Sequence, residues 1–225
     1  MSLEVQLLLV LWGTVVGLDL VSVPQTMIAR PIVAGVVAGF IQGDVDTGLR
    51  LGVLFELMQY DILPVGAVRY PEYGPATVAA VSAAHFAASA GGIGLGAVVG
   101  FLTAMLGGVS LHELRKLNAR RVRLAAPRLE AGDARVLVRV HAAAIGRDAI
   151  RAALVTAIGL GLAWVARELL GIVIAGHGVT LLALAATAVA IATGVAGTLR
   201  LAGPGAGLRW FTAGVVGGTL VAALR

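Results

Sequence analysis

The chain has 225 residues, of which 59% are hydrophobic and only 13% charged, with a mean hydropathy of +0.95. A soluble globular domain carries about twice that charged fraction, so this composition excludes one and indicates an integral membrane protein. The net charge of +5 and pI near 10.7 would suit nucleic acid, but ten of the seventeen Lys and Arg residues lie between Arg115 and Arg151 rather than being dispersed. Such a cluster between apolar segments is what the positive-inside rule expects of a cytoplasmic connection, and no nucleic-acid partner is expected. The absence of cysteine excludes disulfides, thiolate catalysis and iron–sulfur sites.

In chain order, the apolar runs fall at about Leu3 to Leu20, Ile28 to Ile41, Gly48 to Tyr60, Thr77 to Ala90 and Ile93 to Met105, and then at Ile150 to Ile174, Val179 to Leu199 and Leu208 to Leu224. The first run lacks the basic start and cleavage site of a secretory signal, so it reads as a first helix. The expected fold is all-α: a polytopic integral membrane protein with about seven to nine membrane-embedded helices, including short broken or re-entrant segments, and a basic cytoplasmic loop. Residues 1–225 form a single membrane domain. Its parts are a substrate-path half over 1–107, the loop over 108–148 and a C-terminal helical half over 149–225. Thr47 to Tyr60 spans only about 21 Å against a hydrocarbon core of about 30 Å, so it cannot cross alone. Breaks are expected at Gly43-Asp44 and Leu63-Pro64. Short, broken segments are tolerated at membrane depth where protein or a water-filled cavity surrounds them, and transporters place substrate sites there.

Glycines at 35, 39 and 43, and again at 92, 96 and 100, recur every four residues and predict smooth faces for close helix packing. Tyr60, Tyr70, Tyr73 and Trp210 lie near segment ends, where interfacial aromatics sit, whereas Trp12 and Trp164 read as packing residues. The four histidines show no ligand spacing for a metal, and Ser82 with His85 lacks the acidic orienting group of a hydrolase. No metal, no cofactor and no catalytic residue are expected.

Half of the twelve acidic residues lie between Asp19 and Glu72, in or beside apolar stretches. A carboxylate in hydrocarbon costs about 2.5 to 3.5 kcal/mol on insertion scales, so such groups face polar partners, water or ligand. Glu56 is the leading candidate for a ligand contact, with Gln59 nearby; the alternative is that it pairs with Arg30 or Arg50. Asp19, Gln25 and Ser22 precede Arg30-Pro31 and either complete a cavity or cap a broken helix. Asp61 adds a further polar group.

The block Arg30-Pro31, Gly43-Asp44 with Thr47-Gly48, Gly52 with Glu56, Gly66-Ala67 and Pro71-Glu72 resembles the IIC component of the mannose, fructose and sorbose family of the phosphoenolpyruvate-dependent sugar phosphotransferase system. The match covers about residues 17 to 80. The resemblance implies a sugar-translocating permease subunit in the bacterial cytoplasmic (inner) membrane, working beside a IID-like membrane subunit. Separate IIB- and IIA-like cytoplasmic phosphocarriers would supply the phosphoryl group, so this chain would be a non-catalytic subunit with no phosphoryl acceptor. It also implies that Glu56 accepts sugar hydroxyls while Asp44 and Thr47 shape the adjoining turn. The basic loop, with Arg120, Arg121 and Arg123, would then offer a docking face for an acidic partner or for anionic lipid headgroups of the bilayer. Two other classes remain open on the residues alone: a secondary transporter or channel using the same carboxylates, and a non-transporting assembly subunit.

Overall fold

A computed structural model describes residues 2–60, 62, 68–85, 90–173, 177–202 and 205–223. These form eight α-helices: α1 Leu3–Asp19, α2 Pro31–Gln42, α3 Val45–Gln59, α4 Tyr73–Ala84, α5 Ala90–Glu130, α6 Ala134–Val173, α7 His177–Ala202 and α8 Ala206–Ala223. Three stretches, Gly92–Glu130, Ala134–Glu168 and Thr180–Arg200, are long and apolar enough to cross a bilayer. α2, α3 and α4 have 12, 15 and 12 residues, about 18 to 22 Å each, and belong to the short class expected between the full crossings.

Local chemistry sets the ends of the short pair. Pro31 starts α2, where its missing N–H is no loss. Gly43 ends α2 with φ of 76°, a left-handed conformation that favours glycine. Asp44 then caps α3 by accepting from the Thr47 backbone N–H at 3.1 Å. The expected break at Gly43-Asp44 is therefore present, whereas Leu63-Pro64 lies outside the described residues. A methyl group on Gly39 would lie 2.6 Å from the Asp44 carbonyl oxygen, and one on Gly52 2.9 Å from the Ile32 Cα. The backbones of α2 and α3 thus touch through Gly35, Gly39, Gly48 and Gly52. Gly43 is not part of that stripe, because it serves the turn.

All twelve residues of α4 are buried. It packs on α5 at Gly96, whose Cβ would lie 2.7 Å from the Ala80 carbonyl oxygen. Phe55 of α3 fills the space over Gly100 and stacks on Tyr73 with ring centroids 5.6 Å apart. Tyr70 and Tyr73 are each 6% exposed, so they are core residues rather than the interfacial ones expected; Tyr60 and Trp210 are exposed. Trp12 packs as expected and donates its indole N–H to the Ala34 carbonyl at 3.0 Å, whereas Trp164, expected to pack as well, lies on an outward face of α6 and is 57% exposed.

The expected basic loop over 108–148 is a helical hairpin instead. α5 has 41 residues and α6 has 40, about 60 Å each, and only residues 131–133 separate them. The segment is rich in Arg, Ala and Leu, which are strong helix formers, so charge removes it from the bilayer without unwinding it. Gly132 turns the chain with φ of 80°. Asp133 accepts from the Arg135 and Val136 backbone N–H groups at 3.1 and 3.3 Å, starting α6, and from the Arg128 guanidinium at 2.6 Å. That guanidinium holds the half-buried Asp133 carboxyl below its ordinary pKa.

Candidate functional site

The N-terminal end of α2 meets the C-terminal part of α3, and this junction carries the leading candidate. Glu56 is ion-paired with Arg30, and it also accepts from the Ile32 backbone N–H at 3.3 Å. A carboxylate there faces an orphan N–H of the first helical turn and the positive end of the α2 dipole. The Glu56 side chain is 18% exposed and that of Arg30 is 45%. Of the two pairings open on the sequence, Arg30 is the one formed, because Arg50 bonds Asp46 one turn away at 2.8 Å.

Asp19 is 2% exposed and organises the connection from α1 to α2. Its Oδ1 accepts from the Thr26 N–H and hydroxyl, both at 2.7 Å, and its Oδ2 from the Ala29 N–H at 3.0 Å. Gln25 is exposed and donates to the Leu20 carbonyl at 2.9 Å. Both side chains thus fold the segment that delivers Arg30. Gln59 lines a hollow of about 10 Å³ together with Ala29, Ile62, Tyr70 and Tyr73, which has room for about one water. Asp61 lies outside the described residues.

Asp44 and Thr47 do not join this group. They sit at the opposite end of α3, twelve and nine residues from Glu56, or about 18 and 14 Å along the axis, farther than one sugar ring reaches. Their neighbour is His85, whose Nδ1 is 4.0 Å from Asp44 Oδ2.

Sequence reasoning missed a second polar centre. Arg151 of α6, 8% exposed, donates through both terminal nitrogens to Glu72, with Nη2 to Oε1 at 2.9 Å, and through Nε to Asp148 at 2.7 Å. Ser22 donates to the other Asp148 oxygen, and Arg151 Nη1 lies 3.4 Å from the Ser110 hydroxyl. Glu72 and Asp148 are essentially fully buried. Gly107 makes room for Glu72, since a methyl group there would lie 2.7 Å from its Oε2. This hub ties the segment after α1, the start of α4, α5 and α6 together through one guanidinium. The available signal was an arginine one turn after an aspartate at the start of an apolar run; its partner Glu72 lies 79 positions away, beyond any local pattern.

The family described as the PTS system sorbose-specific IIC component matches residues 5–216. The chain belongs to that family. Membership makes it a sugar-permease subunit of the phosphotransferase system, and the apolar helices agree with a multi-pass integral membrane protein. A solved membrane protein superposes on 99% of this chain and 91% of its own length, with a TM-score of 0.76 at 19% identity. The mannose transporter ManYZ, solved by cryo-EM in complex with microcin E492 (MceA), has a TM-score of 0.58 at 20% identity over 97% of this chain and 87% of that one. At such identities the likeness to this IIC chain is one of fold. No curated protein sequence matches it closely enough to add a relative.

Proposed function

We propose that this IIC chain binds a hexose-like sugar at the α2–α3 junction and moves it across the bacterial cytoplasmic membrane for phosphorylation by separate IIB- and IIA-like phosphocarriers, beside a IID-like membrane subunit. The observation that carries the reading is the part-exposed Arg30–Glu56 pair, held where two short helices meet inside the membrane domain. An ionised carboxylate is a strong acceptor for sugar hydroxyls, and each such bond contributes about 1.5 to 3 kcal/mol. In the form described, Arg30 occupies Glu56. Sugar hydroxyls replace one or more of the guanidinium N–H groups, and Gln59 and Asp61 extend the contact. Asp19 and Gln25 act one step back, by shaping the segment that carries Arg30. Asp44 and Thr47 fix the far turn of the hairpin and through it the seating of α3. The transport step alternates access to this junction from the two sides of the membrane.

Glu56→Gln removes the charge at nearly constant volume. Its expected outcome is sugar uptake reduced by about 10-fold or more, with membrane insertion and partner assembly unchanged. Uptake at the wild-type rate would remove Glu56 from the site. Vesicles supplied with the phosphocarriers test the coupling: the sugar accumulated inside is expected as its phosphate. Unphosphorylated sugar that follows an ion gradient would replace this reading with a secondary transporter.

A further inference from the structure

The α5–α6 hairpin carries two hollows on one seam. The lower, about 390 Å³, is lined mainly by apolar side chains including Leu106, Leu117, Leu154 and Ile158, with Ser110, the already paired Arg151 and Arg147 also on its wall. The upper, about 360 Å³, is lined by Arg121, Arg128, Arg139 and Arg147 above Leu124 and Val140. Arg147 lines both, so the two adjoin. On α5 the lining positions 106, 110, 114, 117, 121, 124 and 128 advance by steps of three and four, which is one helical stripe.

The two halves of this groove face different media. The lower half starts where the apolar run of α5 ends and lies beside the apolar run of α6, and its Leu106, Leu154 and Ile158 are 36%, 57% and 48% exposed. At that depth the contacting medium is acyl chain. Arg147 stands where the apolar run of α6 gives way to charge, which is the level of lipid headgroups. Its Nε donates to Asn118 at 2.9 Å, crossing the seam and fixing the guanidinium at the groove. Arg121, on the lining stripe and about one turn above Asn118, has no partner among the described residues. Arg128 is engaged by Asp133, and Arg139 lies two turns beyond Arg147, about 12 Å, which is past a phosphate layer. Two cations at the boundary above an apolar slot match an amphipathic anion. An acidic soluble partner matches only the upper half.

We propose that this seam binds one anionic phospholipid, its acyl chain in the lower hollow and its phosphate between Arg121 and Arg147. The site is separate from the sugar junction and does not depend on it. The test is native mass spectrometry of the full-length protein in micelles titrated with phosphatidylglycerol or phosphatidylcholine. The two arginines are expected to favour phosphatidylglycerol by about 30-fold, on the basis of about 1 kcal/mol for each basic residue near the surface. R121Q/R147Q is expected to abolish that preference. R120Q/R123Q removes equal charge from positions outside the groove and is expected to retain it. Leu154→Trp, which fills the slot without changing charge, is expected to weaken phosphatidylglycerol binding, and glycerol phosphate without acyl chains is expected not to bind. Wild-type protein that binds both lipids equally would overturn the site. So would equal loss in the two double variants, which would make the basic surface a diffuse charge or a docking face for an acidic protein. If R121Q/R147Q elutes as misfolded protein, the wild-type lipid ratio and Leu154→Trp decide the matter by themselves.

Discussion

The α2–α4 region and the α5–α6 hairpin solve opposite problems with the same secondary structure. In the first, short helices touch backbone to backbone through Gly35, Gly39, Gly48 and Gly52, and α4 has no exposed residue. In the second, two long helices leave the apolar layer and, the buried Asp148–Arg151 pair apart, carry most of their charge on exposed faces. Tolerance to substitution should therefore differ sharply between them. Close packing fixes the position of Glu56 to within a side-chain rotation, whereas the hairpin surface is free to vary as long as its turn and seam persist.

The largest break in that contrast is expected at the joint between the two regions. Arg151→Met leaves Glu72 and Asp148 buried without their cation and should cost about 3 to 5 kcal/mol; the check is a thermal melt of purified protein, with partial recovery on adding Glu72→Gln. Next comes Gly48→Ala inside the packed region. The new methyl group collides with the Gly35 carbonyl, and because neither backbone can yield cheaply the loss should be about 1 to 3 kcal/mol, read in the same melt. On the hairpin, R120Q/R123Q should change stability by no more than about 0.5 kcal/mol, while phosphoryl-coupled uptake falls more than sugar binding if this outer face docks a phosphocarrier. Equal loss of uptake and binding would leave only a topology role.

The smallest effect concerns acid. Asp133 has its pKa lowered in the folded protein by Arg128, so its contribution to the turn is complete near neutral pH and is lost as pH falls through that lowered value. Amide exchange at Arg135 and Val136 should quicken there first, and Asp133→Asn should remove the pH dependence.

Much of this architecture was legible in the chain because apolar period and glycine spacing are local signals. The turn at Gly43-Asp44, the short helices on either side and the Trp12 packing followed from them. The basic segment was misread because a run of arginines signals only which side of a membrane it occupies, while Ala, Leu and Arg propensities and the Gly132-Asp133 pair say that it is helical. Asp44 and Thr47 shape the turn before α3 as the resemblance implies, but they stand at the opposite end of that helix from Glu56, since neighbours in a motif can be a helix length apart. The Glu72–Arg151 pair was out of reach, because contacts between distant positions are set by tertiary packing.

One consequence of the charged hub concerns mechanics. α6 runs unbroken from its first residue, Ala134, to Arg151, a rigid arm of about 25 Å, and Arg151 grips the residue that begins α4. A tilt imposed at the outer tip would pivot about this fulcrum and reach α4, whose Tyr73 stacks on Phe55, the residue next to Glu56 in the chain.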